Sequence, residues 1–319
     1  MLKIAAVGCG AMLRTHCRYL SAMEDVALVG FCDTDGERAE GAAKDFGGQA
    51  FTDHQALYDK TEPDAVYVCV PPYAHGPIEV DAAARGIHLF IESPIALDHS
   101  TATKVAAEVR KKKVLTCVGY GLRYCDTVNR ARQYLKGKAI SLVLGYCLGG
   151  LQPQWWWRRR EYSGGQFLEE AAHTVDLLRY LCGDVGEVFA LASGGCMNQV
   201  AHYDIDDSSA VILRLKSGAA ASINTTCING RQARIGIEAI APEITISLED
   251  AVLHVHEGKR TTIHRPAHDR YAAENRAFIE AVRTGKRNKI RSSYNDARKT
   301  LAVALAANES ITSGLPINP

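Results

Sequence analysis

KIAAVGCGAMLRTHCRYL, residues 3–20, decides the fold. It opens as an apolar run, turns on two glycines and continues as an amphipathic stretch from Met12 to Met23. This is the pattern of a buried strand, a tight turn and a helix. Gly8 permits the turn. Gly10 lets the backbone, with Ala11 and Met12, come close to a pyrophosphate at the positive end of the helix. Asp33 closes the next apolar run, 25 positions after Gly8. That is near the spacing of a carboxylate that bonds an adenosine ribose. Its charge would oppose a 2′-phosphate, so the expected cofactor is NAD and not NADP. Leu13 stands where such a turn usually carries its third glycine. An ordinary glycine turn with a helix-capping Asp is the plainer alternative.

Outward from this segment the same alternation repeats. VALVGFCD is followed by an amphipathic stretch at 37–46, DAVYVCV by 75–85 and IHLFIE by 100–112, and VLTCVGY closes the series at Tyr120. The apolar runs do not alternate with polar residues, as befits strands buried on both faces. Strand–helix alternation of this kind gives a doubly wound parallel sheet. Beyond Tyr120 the texture changes. A helix is expected at 126–136, a strand at 140–148, a polar and aromatic loop at 149–165 and a helix at 167–182 stopped by Gly183. From Val185 to His264 the pattern is strand-like, and its six runs read as one open, mostly antiparallel sheet; helices at 269–283 and 294–313 finish the chain.

The chain has 319 residues, enough for about two domains. Lys plus Arg is 37 against 36 Asp plus Glu, which argues against a nucleic-acid partner held by a basic field. No apolar run approaches the ~20 residues of a membrane span, and the first residues lack the layout of a signal peptide. The ten cysteines are scattered without a C-x-x-C pair. Free thiols in a reducing, cytoplasmic setting are expected.

Three further segments resemble the Gfo/Idh/MocA family, the relatives of glucose–fructose oxidoreductase and inositol dehydrogenase. They are VYVCVPPYAHGPIEVDAAARGIHLFIESPIAL at 66–97, GGQFLEEAAHTVDLLRYLCGDVGEV at 164–188, and ENRAFIEAVRTGK with ARKTLAVALAANESITSGLPI near the end. The resemblance covers nearly the whole chain. It implies a Rossmann domain at 1–120 and an α/β substrate and oligomerisation domain at 121–290. A C-terminal segment, 291–319, would pack back on the Rossmann domain. The open sheet would serve a homodimer or homotetramer. It also implies that Val70, Pro71 and His75 line the nicotinamide end together with Glu92. The family's Glu-Lys-Pro tripeptide reads Glu92-Ser93-Pro94 here. In family dehydrogenases that lysine assists proton transfer between nicotinamide and substrate. A serine hydroxyl can hydrogen-bond but supplies no cation. Ser93–Pro94 is expected to be cis, as family members often are at this bond.

Glu169 and His173, spaced i, i+4, share one helix face and match the family's Asp-x-x-x-His pair. Imidazole suits the removal of a hydroxyl proton at neutral pH. The carboxylate would orient substrate or favour imidazolium. A buried, satisfied histidine on an ordinary helix is the alternative. No third ligand stands at metal spacing on this helix, so no metal is expected. Arg123, Asp176, Tyr120, Trp156 and Arg158 are the expected substrate contacts. Trp beside Arg in LQPQWWWRRREYSGGQ suits a sugar face and its hydroxyls, although a subunit interface or plain packing would use the same residues. The favoured reading is NAD-dependent oxidation or reduction of a secondary hydroxyl on a sugar, inositol or sugar derivative. A redox-neutral enzyme that recycles NAD, and a sensor that binds NAD or sugar without catalysis, are the alternatives.

Overall fold

A computed structural model describes residues 1–230 and 232–319, and they form two compact units. The first holds Met1–Gly121 and Asp269–Asp296, the second Leu122–His268 and Ala297–Pro319. Residues 269–296 therefore cluster with the N-terminal residues, and residues 297–319 with the second unit.

The first unit runs β1 (Leu2–Val7), α1 (Ala11–Leu20), β2 (Val26–Cys32), α2 (Gly36–Phe46), β3 (Gln49–Phe51), α3 (His54–Thr61), β4 (Ala65–Val68), α4 (Pro77–Ala84), β5 (His88–Ile91), α5 (His99–Lys112) and β6 (Thr116–Val118). The sheet order is β3-β2-β1-β4-β5-β6, with every pairing parallel. This is the Rossmann order. All four residues of β4 are buried, as the unbroken apolar run implies. Tyr67 stacks on Phe90 at 4.5 Å. Burying a side chain of this kind contributes about 1.5–3 kcal/mol. β3 and α3 escape the sequence reading because β3 has three residues and follows Gly47 and Gly48, both at positive φ. α3 starts where the Asp53 carboxylate accepts from the Gln55 and Ala56 N–H groups.

The second unit runs α6 (Asp126–Leu135), β7 (Leu142–Leu148), α7 (Arg160–Ser163), α8 (Gln166–Cys182), β8 (Val185–Ser193), β9 (Ser208–Leu215), β10 (Ala220–Thr226), β11 (Arg234–Ala241), β12 (Ile244–Glu249), β13 (Val252–Glu257) and β14 (Arg260–His264). α9 (Arg270–Thr284) belongs to the first unit, and α10 (Tyr294–Ser313) lies mostly in the second. The sheet order is β14-β13-β12-β11-β7-β10-β9-β8. Only β7–β10 is parallel, so the sheet is mixed and mostly antiparallel. β14 is too polar to show in the sequence pattern. α8 packs on β7, β10 and β11. β9 alternates buried and exposed residues, so one face of the sheet is covered and the other is open. Leu191 and Ile212 stand about 60% exposed on that outer side (62% and 60%). No helix among the described residues is long and apolar enough to cross a membrane. No disulfide joins any of the ten cysteines.

Candidate active site

In the first unit the expected cofactor residues gather at the C-terminal ends of the parallel strands, where open α/β sheets bind ligands. Gly8 has φ +89, and a Cβ there would lie 2.4 Å from the Cys69 carbonyl oxygen. Both facts require glycine. Gly10 is the residue before α1. Its side-chain position opens on empty space, and no side chain caps the first N–H groups of the helix. Those donors therefore face outward from an exposed turn, with Met12 38% exposed beside them. The Asp33 carboxylate accepts from the Cys9 N–H at 2.8 Å and the Asp35 N–H at 3.0 Å. It is thereby tied to the glycine turn.

Val70 and Pro71 are half-buried in the loop after β4, and His75 follows, 4% exposed. Glu79, one helical turn on and fully buried, contacts His75 Nδ1 and accepts from the Gly76 N–H at 2.6 Å. With carboxylate oxygens as acceptors, the ring hydrogen belongs on Nδ1. Nε2 is then a buried acceptor with no partner among the described residues, so it is set to receive a donor from a ligand. Sequence reasoning missed Glu79, whose signal was its i+4 spacing. Glu92 lies 2.6 Å from His16 Nε2, and Gly119 leaves it room: a Cβ there would come within 2.5 Å of Glu92 Oε2. Ser93–Pro94 is cis. The Ser93 hydroxyl is buried without a partner among the described residues. Tyr120, expected at the substrate, is 2% exposed and belongs to this unit.

In the second unit, α8 carries Glu169 and His173 on one face, both half-buried. Glu169 Oε2 is buried with no partner among the described residues. Burial first, and the neighbouring Glu170 second, push its carboxyl up to about 8. Glu170, which sequence reasoning missed, is also pushed up to about 8 by burial, although hydrogen bonds from Gln166 and Gly149 pull the other way. Gln166 Nε2 donates to it at 2.6 Å, while Gln166 Oε1 accepts from Ser209 and Thr225. A Cβ at Gly149 would strike Glu170 Oε1, so only glycine fits. With its carboxyl pushed up to about 8 by burial, Glu169 can hold a proton near neutral pH and donate a hydrogen bond.

Both carboxyls bind protons more tightly folded than unfolded, where a glutamate titrates near ~4.3. Their stabilising contribution is complete below that value and is lost as pH rises through about 8. The melting temperature is expected to fall between pH 5 and pH 8.5, and Glu169→Gln should flatten part of the fall. Calorimetry across that range checks this, and a wild-type melting temperature that rises with pH there would contradict it.

Arg123 and Asp176, both expected to meet substrate, are paired with each other. Arg123 Nε and Nη2 donate to the two Asp176 oxygens at 2.7 Å each. Both residues are buried, at 4% and 1% exposure. Thr300 Oγ1 also donates to Asp176, and Arg179 to Thr300. The guanidinium packs over Tyr180. The pair is a tie within the second unit.

The tryptophans divide as three adjacent rings must. Trp155 is 58% exposed against Tyr162, and Trp157 is buried with Ile205 and Cys227. Trp156, an expected substrate contact, is partly buried on that cluster. Arg159 and Arg160 pair with Asp204 and Asp206. Arg158 Nη2 donates to the Pro153 carbonyl, while its buried Nε has no partner among the described residues.

With this geometry in hand, residues 2–120 match the family model described as an oxidoreductase family with an NAD-binding Rossmann fold, and residues 137–251 match the model of the GFO/IDH/MocA C-terminal domain. The chain belongs to the Gfo/Idh/MocA family. It is an oxidoreductase, and its cofactor is NAD. Similar curated proteins include the myo-inositol 2-dehydrogenase of Thermotoga maritima, 25% identical over 97% of this chain and 96% of that protein. Another is the scyllo-inositol 2-dehydrogenase (NAD(+)) of Bacillus subtilis, 25% identical over 99% and 96%. Among solved structures, a levoglucosan dehydrogenase in complex with NADH shares the fold, with a TM-score of 0.89 at 21% identity over 99% and 98% of the two chains. The residues of this family member fit NAD on three observations. The glycine turn is open where a pyrophosphate would lie, Asp33 is fixed beside it, and the buried His75 Nε2 lacks a partner among the described residues.

Proposed function

We propose that this chain transfers a hydride between NAD and a secondary hydroxyl of a cyclic polyol, sugar or sugar derivative, with His173 as the general base. The observation that carries the reading is the α8 face, where His173 stands one turn from a protonatable Glu169 whose inner oxygen has no partner among the described residues. The inositol specificities of the relatives above support the substrate class. NAD, when bound, supplies the hydride acceptor. The chain's own residues do the rest. Gly10, Ala11 and Met12 would hold the pyrophosphate by backbone N–H groups, with Gly8 shaping the turn while its own N–H donates to the Cys32 carbonyl, and Asp33 would hold the adenosine ribose. Val70, Pro71, His75 and Glu92 shape the nicotinamide end, and Ser93 offers a hydroxyl. His173 takes the hydroxyl proton as the alcohol is oxidised. Glu169 donates a hydrogen bond to a substrate oxygen and so fixes which hydroxyl meets the base. Trp156 and Arg158 belong to the loop that edges the substrate. The exposed apolar residues of the open sheet are assigned to a contact with a second copy of the chain.

Asp33→Asn removes a charge-assisted bond worth about 1.5–3 kcal/mol. NAD affinity should therefore fall roughly 10- to 100-fold and preference over NADP should narrow, as titration calorimetry would show. The function itself is tested by stoichiometry. Product and NADH are expected in a one-to-one ratio over many turnovers. Product without net NADH, from protein that retains its NAD, would replace this reading with redox-neutral chemistry. The absence of a cation at Ser93 is the feature that reading would explain.

A further inference from the structure

The fold brings together three side chains that the sequence keeps far apart. His16 lies on α1, Cys69 directly follows β4 and Glu92 directly follows β5. His16 Nε2 or Nδ1, Cys69 Sγ and a Glu92 oxygen all lie within 4.8 Å of one another. We propose that His16, Cys69 and Glu92 form a binding site for a borderline-soft divalent cation of the zinc class.

The donor set argues for that class. One nitrogen, one sulfur and one carboxylate oxygen suit zinc or cobalt, whereas magnesium and calcium take oxygen alone. Three protein ligands leave a fourth position open, as in zinc sites that keep an exchangeable water. The charges close as well: a thiolate and a carboxylate neutralise a dication, and the imidazole ligates uncharged. A neutral assembly is what a half-buried position tolerates. Glu92 has no ion-pair partner but His16 among the described residues, so no lysine or arginine competes for it.

The outer partner of the histidine is also in place. His16 Nδ1 lies 3.1 Å from Asn275 Oδ1 and 2.9 Å from Asn275 Nδ2. Asn275 can therefore accept from Nδ1–H, which leaves the Nε2 lone pair free for a metal, or donate to a bare Nδ1 when Nε2 carries the hydrogen. Such a support for the second ring nitrogen is the usual companion of a metal-bound histidine. Asn275 is itself fixed by donating to the Tyr271 carbonyl at 2.7 Å. The Tyr67, Phe90 and Tyr271 rings surround the imidazole.

Tetrahedral zinc places its ligand atoms about 3.4–3.7 Å apart. The His16–Glu92 contact must open from 2.6 Å, and Cys69 must draw in. On loading, the Cys69 S–H bond breaks, its proton leaves to solvent, and a sulfur–metal bond forms. The His16 ring hydrogen resides on Nδ1.

The test uses full-length protein stripped by a chelator and titrated with Co²⁺, whose bond to a thiolate gives a charge-transfer band in the near ultraviolet. The band is expected to saturate at one equivalent, to collapse when Zn²⁺ is added, to vanish in Cys69→Ala and to persist in Cys196→Ala, which removes an exposed thiol. No saturable band, or one of undiminished strength in Cys69→Ala, would overturn the site. The readout is spectroscopic, so it stands apart from the proposed oxidoreductase activity.

Discussion

Replacing His173 by alanine is expected to lower turnover by about 10²- to 10⁴-fold, the magnitude of a lost general base. NAD affinity should be unchanged, because the residues assigned to the cofactor lie in the first unit. The decline should appear in kcat as well as kcat/KM, since proton removal belongs to the transition state. His173→Gln should not rescue it, because an amide has no titratable nitrogen. Steady-state kinetics with direct NADH titration separates the two quantities. Equal turnover in wild type and His173→Ala would remove the histidine from the mechanism.

The second large effect is on stability. Arg123→Leu leaves the Asp176 carboxylate buried without its bidentate partner. Breaking a buried pair on one side costs about 3–5 kcal/mol. At about 2–4 °C per kcal/mol for a domain of this size, the second unit should melt roughly 10 °C lower. The double variant Arg123→Leu/Asp176→Leu should recover much of the loss, because it removes both charges. Thermal denaturation of the three proteins measures this. A single variant no worse than the double would mean that the pair is not coupled as its geometry indicates.

Much of the fold is legible in the sequence because its strongest signals are local. The unbroken apolar runs at β1, β4 and β5 announce strands buried on both faces, and the V-G-C-G turn announces the first helix. β3, α3 and β14 stay hidden, since short or polar elements take their form from neighbours already in place. The candidate site divides in the same way. Glu169 and His173 are visible as an i, i+4 pair. The Arg123–Asp176 tie spans 53 positions, and nothing in either segment reveals that a residue of one type will be consumed by the other. The raised carboxyl of Glu169 is equally invisible, because burial sets it and burial is a property of the assembled unit. His16, Cys69 and Glu92 meet only because β1, β4 and β5 are neighbours in the sheet.

The central claim is net hydride transfer from a cyclic polyol or sugar to NAD. The most direct measurement is absorbance at the NADH band after purified protein is mixed with NAD and a panel of inositols, sugars, anhydrosugars and sugar acids. The account expects a sustained rise with at least one member, abolished by His173→Ala. A flat trace for every member, from protein shown by titration to bind NAD, would contradict it.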